Sequence, residues 1–161
     1  MRSTAFATVL ALVATVALAT SVLAAAQRPM SGSFVIGVVP VEQRCGPNAL
    51  TIGFEGTGLA THLGRMTGTG SNCTEFTLAT DAVAIWDGIA IYTAADGSTI
   101  TAAYEGMQQA PVAGVALSVT ISTIVSGTGR FEGAQGSFTA SGPIDFTTGL
   151  VSNRFSGWIS Y

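Results

Sequence analysis

The sequence predicts an all-β protein, built as one closed antiparallel β-barrel of about eight strands. Three observations predict this class. Apolar and hydroxyl side chains alternate with a period of two in several segments. Turn signals separate those segments at the spacing typical of barrels and sandwiches. Gly, Thr, Ser and Val disfavour helix almost throughout. Closure removes exposed sheet edges, which a chain without lysine has few charges to protect.

The first predicted element is a cleaved leader, residues 1–26. Arg2 precedes an apolar run at 6–20, and small residues at 23–27 offer an A-x-A cleavage signal that ends at Ala26. The run is too short to predict a stable membrane anchor. We therefore expect a secreted or periplasmic protein whose domain is 27–161, 135 residues with a single core.

The predicted strands follow along this domain. A hairpin is expected in its centre, because Asp96-Gly97 is a favourable two-residue turn between alternating segments. Two weaker strands are expected at 62–70 and 75–80, and the first and last strands at the two ends of the domain. The other expected strands cover 31–39, 50–57, 89–93, 98–105, 115–123, 136–142 and 153–161.

The clearest alternation lies at 115–123. Its apolar residues share one face and its small and hydroxyl residues share the other. Because a barrel core is apolar, we expect the apolar face to point into the lumen. The apolar set is Val115, Leu117, Val119 and Ile121, and the other set is Ala116, Ser118, Thr120 and Ser122. Segment 50–57 is similar, with Leu50, Ile52 and Phe54 opposite Thr51, Glu55 and Thr57.

The two cysteines, Cys45 and Cys73, predict one disulfide, since an even count in an exported protein favours a structural bridge. On the chain-entropy model this bridge stabilises the fold by roughly 3–4 kcal/mol. A free thiol is the weaker interpretation. No metal site is expected, because His62 is the only histidine and no Cys-x-x-Cys pair accompanies it.

The charge balance argues against nucleic acid as a partner. The formal net charge is −3, and it becomes −4 when Arg2 leaves with the leader. A weakly acidic chain without a basic cluster lacks the charge that phosphate backbones require.

The glycine-rich stretch 127–142 predicts a tight connection between two strands. Gly127 and Gly129 permit backbone conformations that are closed to other residues. Phe131 is expected to plug one end of the barrel. The small residues Gly133, Ala134 and Gly136 would let the connection lie against the wall. A phosphate cradle is not expected, because no helix or lysine follows.

The sequence "SGTGRFEGAQGSFTASG" at 126–142 resembles the G-G-T-G-x-F-x-G-A-x-G segment of the barrel family that includes dirigent proteins and allene oxide cyclases. His62-Leu63-Gly64 resembles an upstream segment of secreted bacterial relatives. The resemblance implies a calycin-like antiparallel barrel of eight strands, often trimeric in the plant members, without a cofactor and with a small hydrophobic substrate at its mouth. The matching residues are scaffold in that family, so the resemblance implies the fold and not the activity.

The candidate catalytic residues are His62, Arg65, Glu55 and Tyr104. A lone histidine is usually bonded to a neighbouring backbone group, but it could act as a general base at a barrel mouth. Three residues separate His62 from Arg65, so a regular strand would place them on opposite faces. Tyr104 shares a face with Ile100 and Ala102, which favours a core position with the hydroxyl at a rim.

For the remaining polar and aromatic residues, a structural role is the simplest interpretation. Glu55 and Glu75 are expected in solvent, as are Arg130 and Glu132, and Glu105 is a further polar candidate. The rings of Trp86, Tyr92 and Trp158 could stack on a flat ligand, although packing on the barrel exterior or between subunits is the alternative.

Three functions remain open on the sequence. The first is a secreted barrel that binds a hydrophobic small molecule or a partner without turnover. The second is a cofactor-free cyclase or dirigent-type enzyme, which requires two of the candidate residues to converge in one cavity. The third is a small outer-membrane barrel; several strands are expected to be shorter than the roughly 9–11 residues that spanning requires.

Overall fold

A computed structural model describes residues 26–75 and 82–161. The predicted leader, apart from Ala26, lies outside the described residues, and so does the predicted strand at 75–80 beyond Glu75. Eight strands follow one another in the described chain. They are β1 (Arg28–Val39), β2 (Leu50–Ala60), β3 (Gly64–Thr74), β4 (Ala82–Ala94), β5 (Thr99–Gln109), β6 (Val115–Gly127), β7 (Gln135–Asp145) and β8 (Leu150–Ser160).

The strands form a closed barrel in which each strand pairs with its sequence neighbours. All pairs are antiparallel, and β1 closes the barrel by pairing with β8 from Arg28↔Ile159 to Gly37↔Leu150. The predicted fold class is therefore confirmed. The predicted central hairpin is also confirmed, since β4 and β5 meet at a turn in which Gly97 has φ +84°.

Each strand contains 11 to 13 residues. The expectation that several strands are shorter than 9–11 residues is therefore wrong. Within the described ranges, no helix has the length and apolar character needed to cross a membrane.

The orientation predicted for β6 is wrong. Val115, Leu117, Val119 and Ile121 point outwards and are between 42% and 57% exposed. The small and hydroxyl residues between them face the lumen instead. The alternation at 115–123 is real, but its apolar side forms the outer wall.

Competition for the lumen explains this inversion. An eight-stranded barrel encloses little more room than its side chains fill. Aromatic rings from other strands occupy that room: Phe34, Phe54, Phe138 and Phe155 are all buried. Small inward residues on β6 leave space for these rings, which bury more apolar surface than valines there would.

Lumen-facing glycines make the same space on β3 and β4. A Cβ atom on Gly70 would lie 2.6 Å from the Phe54 ring, and one on Gly88 would lie 2.6 Å from the Tyr104 ring. Either distance is shorter than a real contact allows. These rings can lie flat on the barrel wall only because the residue beneath them is glycine.

The two ends of the barrel differ. We name the closed end as the one that carries the β2–β3, β4–β5 and β6–β7 connections and Tyr161. The open end is the opposite one, where β1, β3, β5 and β7 end. The core extends from the closed end to mid-barrel. It contains Met30, Phe34, Phe54, Leu63, Met66, Ala90, Ala94, Ile100, Ala102, Ile124, Phe131, Ala134, Phe138, Phe155 and Ile159.

The glycine-rich stretch builds the β6–β7 connection at the closed end. A 3₁₀ turn at Gly129–Phe131 begins with Gly129 at φ +61°, a conformation that other residues rarely adopt. Phe131 is fully buried, and its ring meets the Tyr161 ring edge-on at 5.0 Å between centroids. A Cβ atom on Gly127 would collide with the backbone of Phe131.

The rest of that stretch returns the chain to the wall. Gly133 has φ +74°, and Ala134 is buried. A Cβ atom on Gly136 would collide with the backbone of Trp158 on the adjacent strand β8.

Candidate ligand site at the open end

A cavity of about 200 Å³ occupies the open half of the lumen. None of the described residues that line it carries a charge. Its apolar lining comes mainly from β1, β2, β4, β7 and β8, and its polar lining from β3, β5, β6 and β8. The lining includes Ile36, Val38, Ile52, Phe54, Asn72, Val83, Ile85, Tyr92, Tyr104, Ser118, Thr120, Ser122, Ala140, Ile144, Phe146, Val151 and Asn153.

Aromatic rings form the floor of this cavity. Tyr92 packs edge-on against Phe34 at 5.5 Å between centroids, and Tyr104 against Phe54 at 6.3 Å. Burial raises the pKa of Tyr92 to about 12, and burial above all raises the pKa of Tyr104 as well. Both phenols are therefore neutral at physiological pH and can donate hydrogen bonds. The Tyr104 hydroxyl donates to Asn72 Oδ1 at 3.0 Å.

One wall of the cavity is a row of hydroxyl groups on β6. We name Ser118, Thr120 and Ser122 the hydroxyl row. Ser118 and Ser122 are 5% and 3% exposed, respectively. Ser118 Oγ donates to the Gly142 carbonyl at 3.3 Å. The hydroxyls of Thr120 and Ser122 make no hydrogen bond to any described residue.

Asn153 on β8 extends this polar wall. Its Oδ1 atom is buried and finds no hydrogen-bond partner among the described residues. Gly142 of β7 lies between Ser118 and Asn153; a Cβ atom there would be 2.9 Å from Asn153 Oδ1. The absence of a side chain at Gly142 lets the hydroxyl row and Asn153 share one surface.

The mouth of the cavity is apolar. Val38 and Phe146 line the cavity and are still 55% and 47% exposed, so they also reach the rim. An apolar molecule would therefore contact apolar side chains at the rim as it enters or leaves the cavity.

The β1–β2 connection folds onto the outer wall beside this mouth. The predicted disulfide Cys45–Cys73 is confirmed and ties the connection to β3. Arg44 forms an ion pair with Asp87 on β4 and also donates to the Asp87 carbonyl at 2.6 Å. The Arg44 backbone N–H donates to Thr51 Oγ1 at 2.8 Å. A disulfide of this kind indicates a non-cytoplasmic environment.

The four predicted catalytic residues do not converge. Only Tyr104 lines the cavity. Glu55 and Arg65 are exposed on the outer wall. His62 lies at the closed end, in the turn between β2 and β3, with φ +69°.

His62 is committed to local contacts. Its Nε2 atom lies 2.9 Å from the Pro29 carbonyl oxygen, so Nε2 carries the proton and donates. Its Nδ1 atom then accepts from the Tyr161 hydroxyl at 3.3 Å. The interpretation of His62 as a strand residue is wrong, because the residue belongs to a turn.

The other predicted polar and aromatic residues lie mostly outside the lumen. Glu75 and Glu105 are exposed, whereas Trp86 and Trp158 are half-buried on the outer wall. Tyr92 is the exception, since it forms part of the cavity floor. The described residues contain no group of three or more His, Cys, Asp or Glu side chains suited to a metal ion.

Sequence reasoning missed the hydroxyl row and Asn153. The alternation at 115–123 contains the row, but the pattern alone predicts that the row faces outwards. A usable signal exists only once the inward face is known: towards the open end, the inward residues change from Ile124 to Ser122 on β6 and from Phe155 to Asn153 on β8.

Comparisons with known proteins support the fold alone. No protein-family model matches the chain, and no curated protein matches it. Among solved structures, the pterocarpan synthase dirigent protein PsPTS1 is similar, with a TM-score of 0.50 and 15% sequence identity; the match covers 86% of this chain and 97% of that one. The chain therefore has a dirigent-like barrel fold.

Proposed function

We propose that this dirigent-like barrel binds a small apolar molecule in the open half of its lumen and does not transform it. The observation that carries the proposal is the uncharged cavity of about 200 Å³, closed below by aromatic rings and open at an apolar mouth. Ligand sites are typically concave and mainly apolar, with a few convergent polar groups. This volume is large enough for one small ring system.

The separation of the candidate catalytic residues favours binding over turnover. General acid–base catalysis needs two groups within hydrogen-bond reach of the reacting atoms. Tyr104 is the one predicted candidate in the cavity, and its raised pKa keeps it from acting as a base near neutral pH. A cyclase or dirigent-type reaction is the alternative, and it would depend on Tyr104 and uncharged groups.

The outer wall argues against a membrane barrel. Glu55, Glu105 and Arg154 are exposed on the outer face near the middle of β2, β5 and β8. A charged side chain at the bilayer midplane of such a barrel costs about 2–4 kcal/mol for arginine and less for carboxylates. The domain should therefore remain dissolved in detergent-free buffer, and sedimentation would show this; recovery only in detergent would favour the membrane alternative.

As a protein partner we favour a second copy of this chain. Met107, Val119 and Ile121 are about half exposed and adjacent on the outer faces of β5 and β6, so a second copy could cover them. The same sedimentation run gives the mass of the particle. A monomer at all concentrations would remove this part of the proposal.

We propose export as the setting of this function. The disulfide favours it, and the leader predicted at 1–26 would provide it. The intact mass of the exported protein should equal that of a chain that begins at Gln27. An intracellular product that retains residues 1–26 would contradict this assignment.

The binding proposal is tested with indane, a neutral bicyclic hydrocarbon, titrated into the domain and followed by NMR chemical shifts. We expect shifts confined to the lumen of the open half. Ala140→Leu, which fills the cavity, should weaken binding at least about tenfold, a loss of about 1.4 kcal/mol. The matched control Ala103→Leu adds the same volume to the outer wall of β5 and should leave the affinity unchanged. An equal loss of indane affinity in Ala140→Leu and Ala103→Leu would contradict a lumen site.

A further inference from the structure

Several polar groups around the cavity lack partners, and they lie on one side of it. The Oδ1 atom of Asn153 is buried and has no hydrogen-bond partner among the described residues. The hydroxyls of Thr120 and Ser122, which line the cavity, also hydrogen-bond to no described residue. The Tyr92 hydroxyl on the floor is also without such a partner. By contrast, the Tyr104 hydroxyl on β5 donates a hydrogen bond to the Asn72 side chain on β3, so both groups have a partner.

Unpaired groups of this kind determine which occupants the cavity prefers. A buried donor or acceptor that loses water without gaining a partner costs free energy. A pure hydrocarbon seated against the hydroxyl row would impose that cost on each group that it covers. An occupant with its own hydrogen-bonding group would not, because serine and threonine hydroxyls can rotate to donate or to accept.

The lack of charge in the lining limits the occupant further. The described lining residues contain no Arg, Lys, His, Asp or Glu. A carboxylate or an ammonium group would lose its hydration and gain no counter-charge. Charged ligands are therefore disfavoured, and a neutral polar group is favoured.

The apolar side of the cavity orients the occupant. Ile36, Ile52 and Phe54 lie on β1 and β2, across the lumen from β6. A ligand with an apolar body and one polar edge can place its body on these side chains and its edge on the hydroxyl row.

We infer that the hydroxyl row and Asn153 determine ligand specificity, and that the ligand class is a neutral molecule with an apolar ring body and an alcohol-type hydroxyl on one edge. This inference rests on the proposed binding function. A ligand hydroxyl both donates and accepts, so it matches the Asn153 acceptor and the rotatable hydroxyls of Thr120 and Ser122 together.

The test uses three probes that share one ring body: indane, 2-indanol and indane-2-carboxylate at neutral pH. We expect 2-indanol to bind about three- to tenfold more tightly than indane, as one net hydrogen bond predicts. The carboxylate should bind more weakly than 2-indanol. NMR titration gives the three dissociation constants.

A matched pair of variants identifies the groups responsible. Thr120→Val removes a lumen hydroxyl and keeps the side-chain shape, and Thr123→Val makes the same change on the outer face of β6. Thr120→Val, Ser122→Ala or their combination should bring the ratio of the indane to the 2-indanol dissociation constant towards one. Thr123→Val should leave that ratio unchanged. Because the ratio is taken within one variant, a partial loss of folded protein does not alter it.

The outcomes separate this inference from the proposed function. Equal binding of indane and 2-indanol in the unsubstituted protein overturns the inference and leaves the binding function standing. A carboxylate that binds most tightly also overturns it. Failure of all three probes to bind would overturn both.

Discussion

The closed and open halves of the barrel are built from the same eight strands, yet their lumens differ. On β8, Phe155 and Ile159 fill the closed half, whereas Val151 and Asn153 border a cavity in the open half. On β7, buried Phe138 gives way to Ala140. The closed half is packed like a protein interior, whereas the open half contains a cavity lined partly by polar groups.

One small barrel can therefore contain both a packed core and a candidate site. Burial of large side chains is the main favourable term in folding, so a barrel that is hollow at one end must be stabilised elsewhere. Here the closed end contributes the burial, and the disulfide beside the mouth constrains the open end. Changes at the two ends should therefore have unequal effects.

The largest contrast is expected between two phenylalanines. Phe131→Ala at the closed end should lower the free energy of unfolding by about 3–5 kcal/mol, because it empties a fully buried site. Phe146→Ala at the open rim should change it by less than about 1 kcal/mol, because Phe146 is already 47% exposed. Urea unfolding measures both. Similar losses of stability in the two variants would mean that the closed end does not contribute more to the free energy of unfolding than the open end.

Loss of the disulfide is the next largest effect. Cys45 and Cys73 are separated by 28 residues, so the bridge should contribute roughly 3–4 kcal/mol by restricting the unfolded chain. Reductant should lower the urea midpoint of the native protein. It should have no effect on a Cys45→Ala/Cys73→Ala variant, which serves as the control. An unchanged midpoint on reduction would show that the open end needs no covalent constraint.

The smallest effect concerns Tyr92, at the boundary between the halves. Its pKa is raised to about 12 by burial, from 10.0, so the folded protein holds the phenol proton more tightly than the unfolded chain. The contribution of Tyr92 to stability is therefore complete below pH 10 and is lost as the pH rises towards 12. By linkage the loss is about 1.4 kcal/mol at pH 11.

The Tyr92→Phe variant isolates this contribution. Its urea midpoint should fall less between pH 8 and pH 11 than that of the native protein, with the remaining fall due to Tyr104, whose pKa is raised as well. Equal falls in the two proteins would indicate that the Tyr92 hydroxyl is well hydrated through the cavity.

Much of the fold was predictable because its determinants are local. Period-two alternation identified the strands, and Asp96-Gly97 identified the central hairpin. Phe131 was singled out as the large apolar residue in a run of small ones. The predicted pairing of Cys45 with Cys73 followed from cysteine count and export context, and the structure contains that bond.

The site was less predictable because its determinants are distant in sequence. Residue type alone makes Tyr104 a candidate, and it makes His62, Arg65 and Glu55 candidates as well. Barrel closure places Tyr104 in the lumen, His62 at the far end and the other two on the outer wall. Asn153 gave no signal, since its role depends on Gly142 in the neighbouring strand.

The strands, their turns and the two-sided character of β6 can be read from the sequence alone, because alternation and turn chemistry act between near neighbours. Which side of β6 faces the lumen depends instead on the folded barrel. The lumen has a limited volume, and rings from β1, β2, β7 and β8 fill it more completely than Val115, Leu117 and Val119 would. That competition turned the apolar face outwards and left the hydroxyl groups around the cavity.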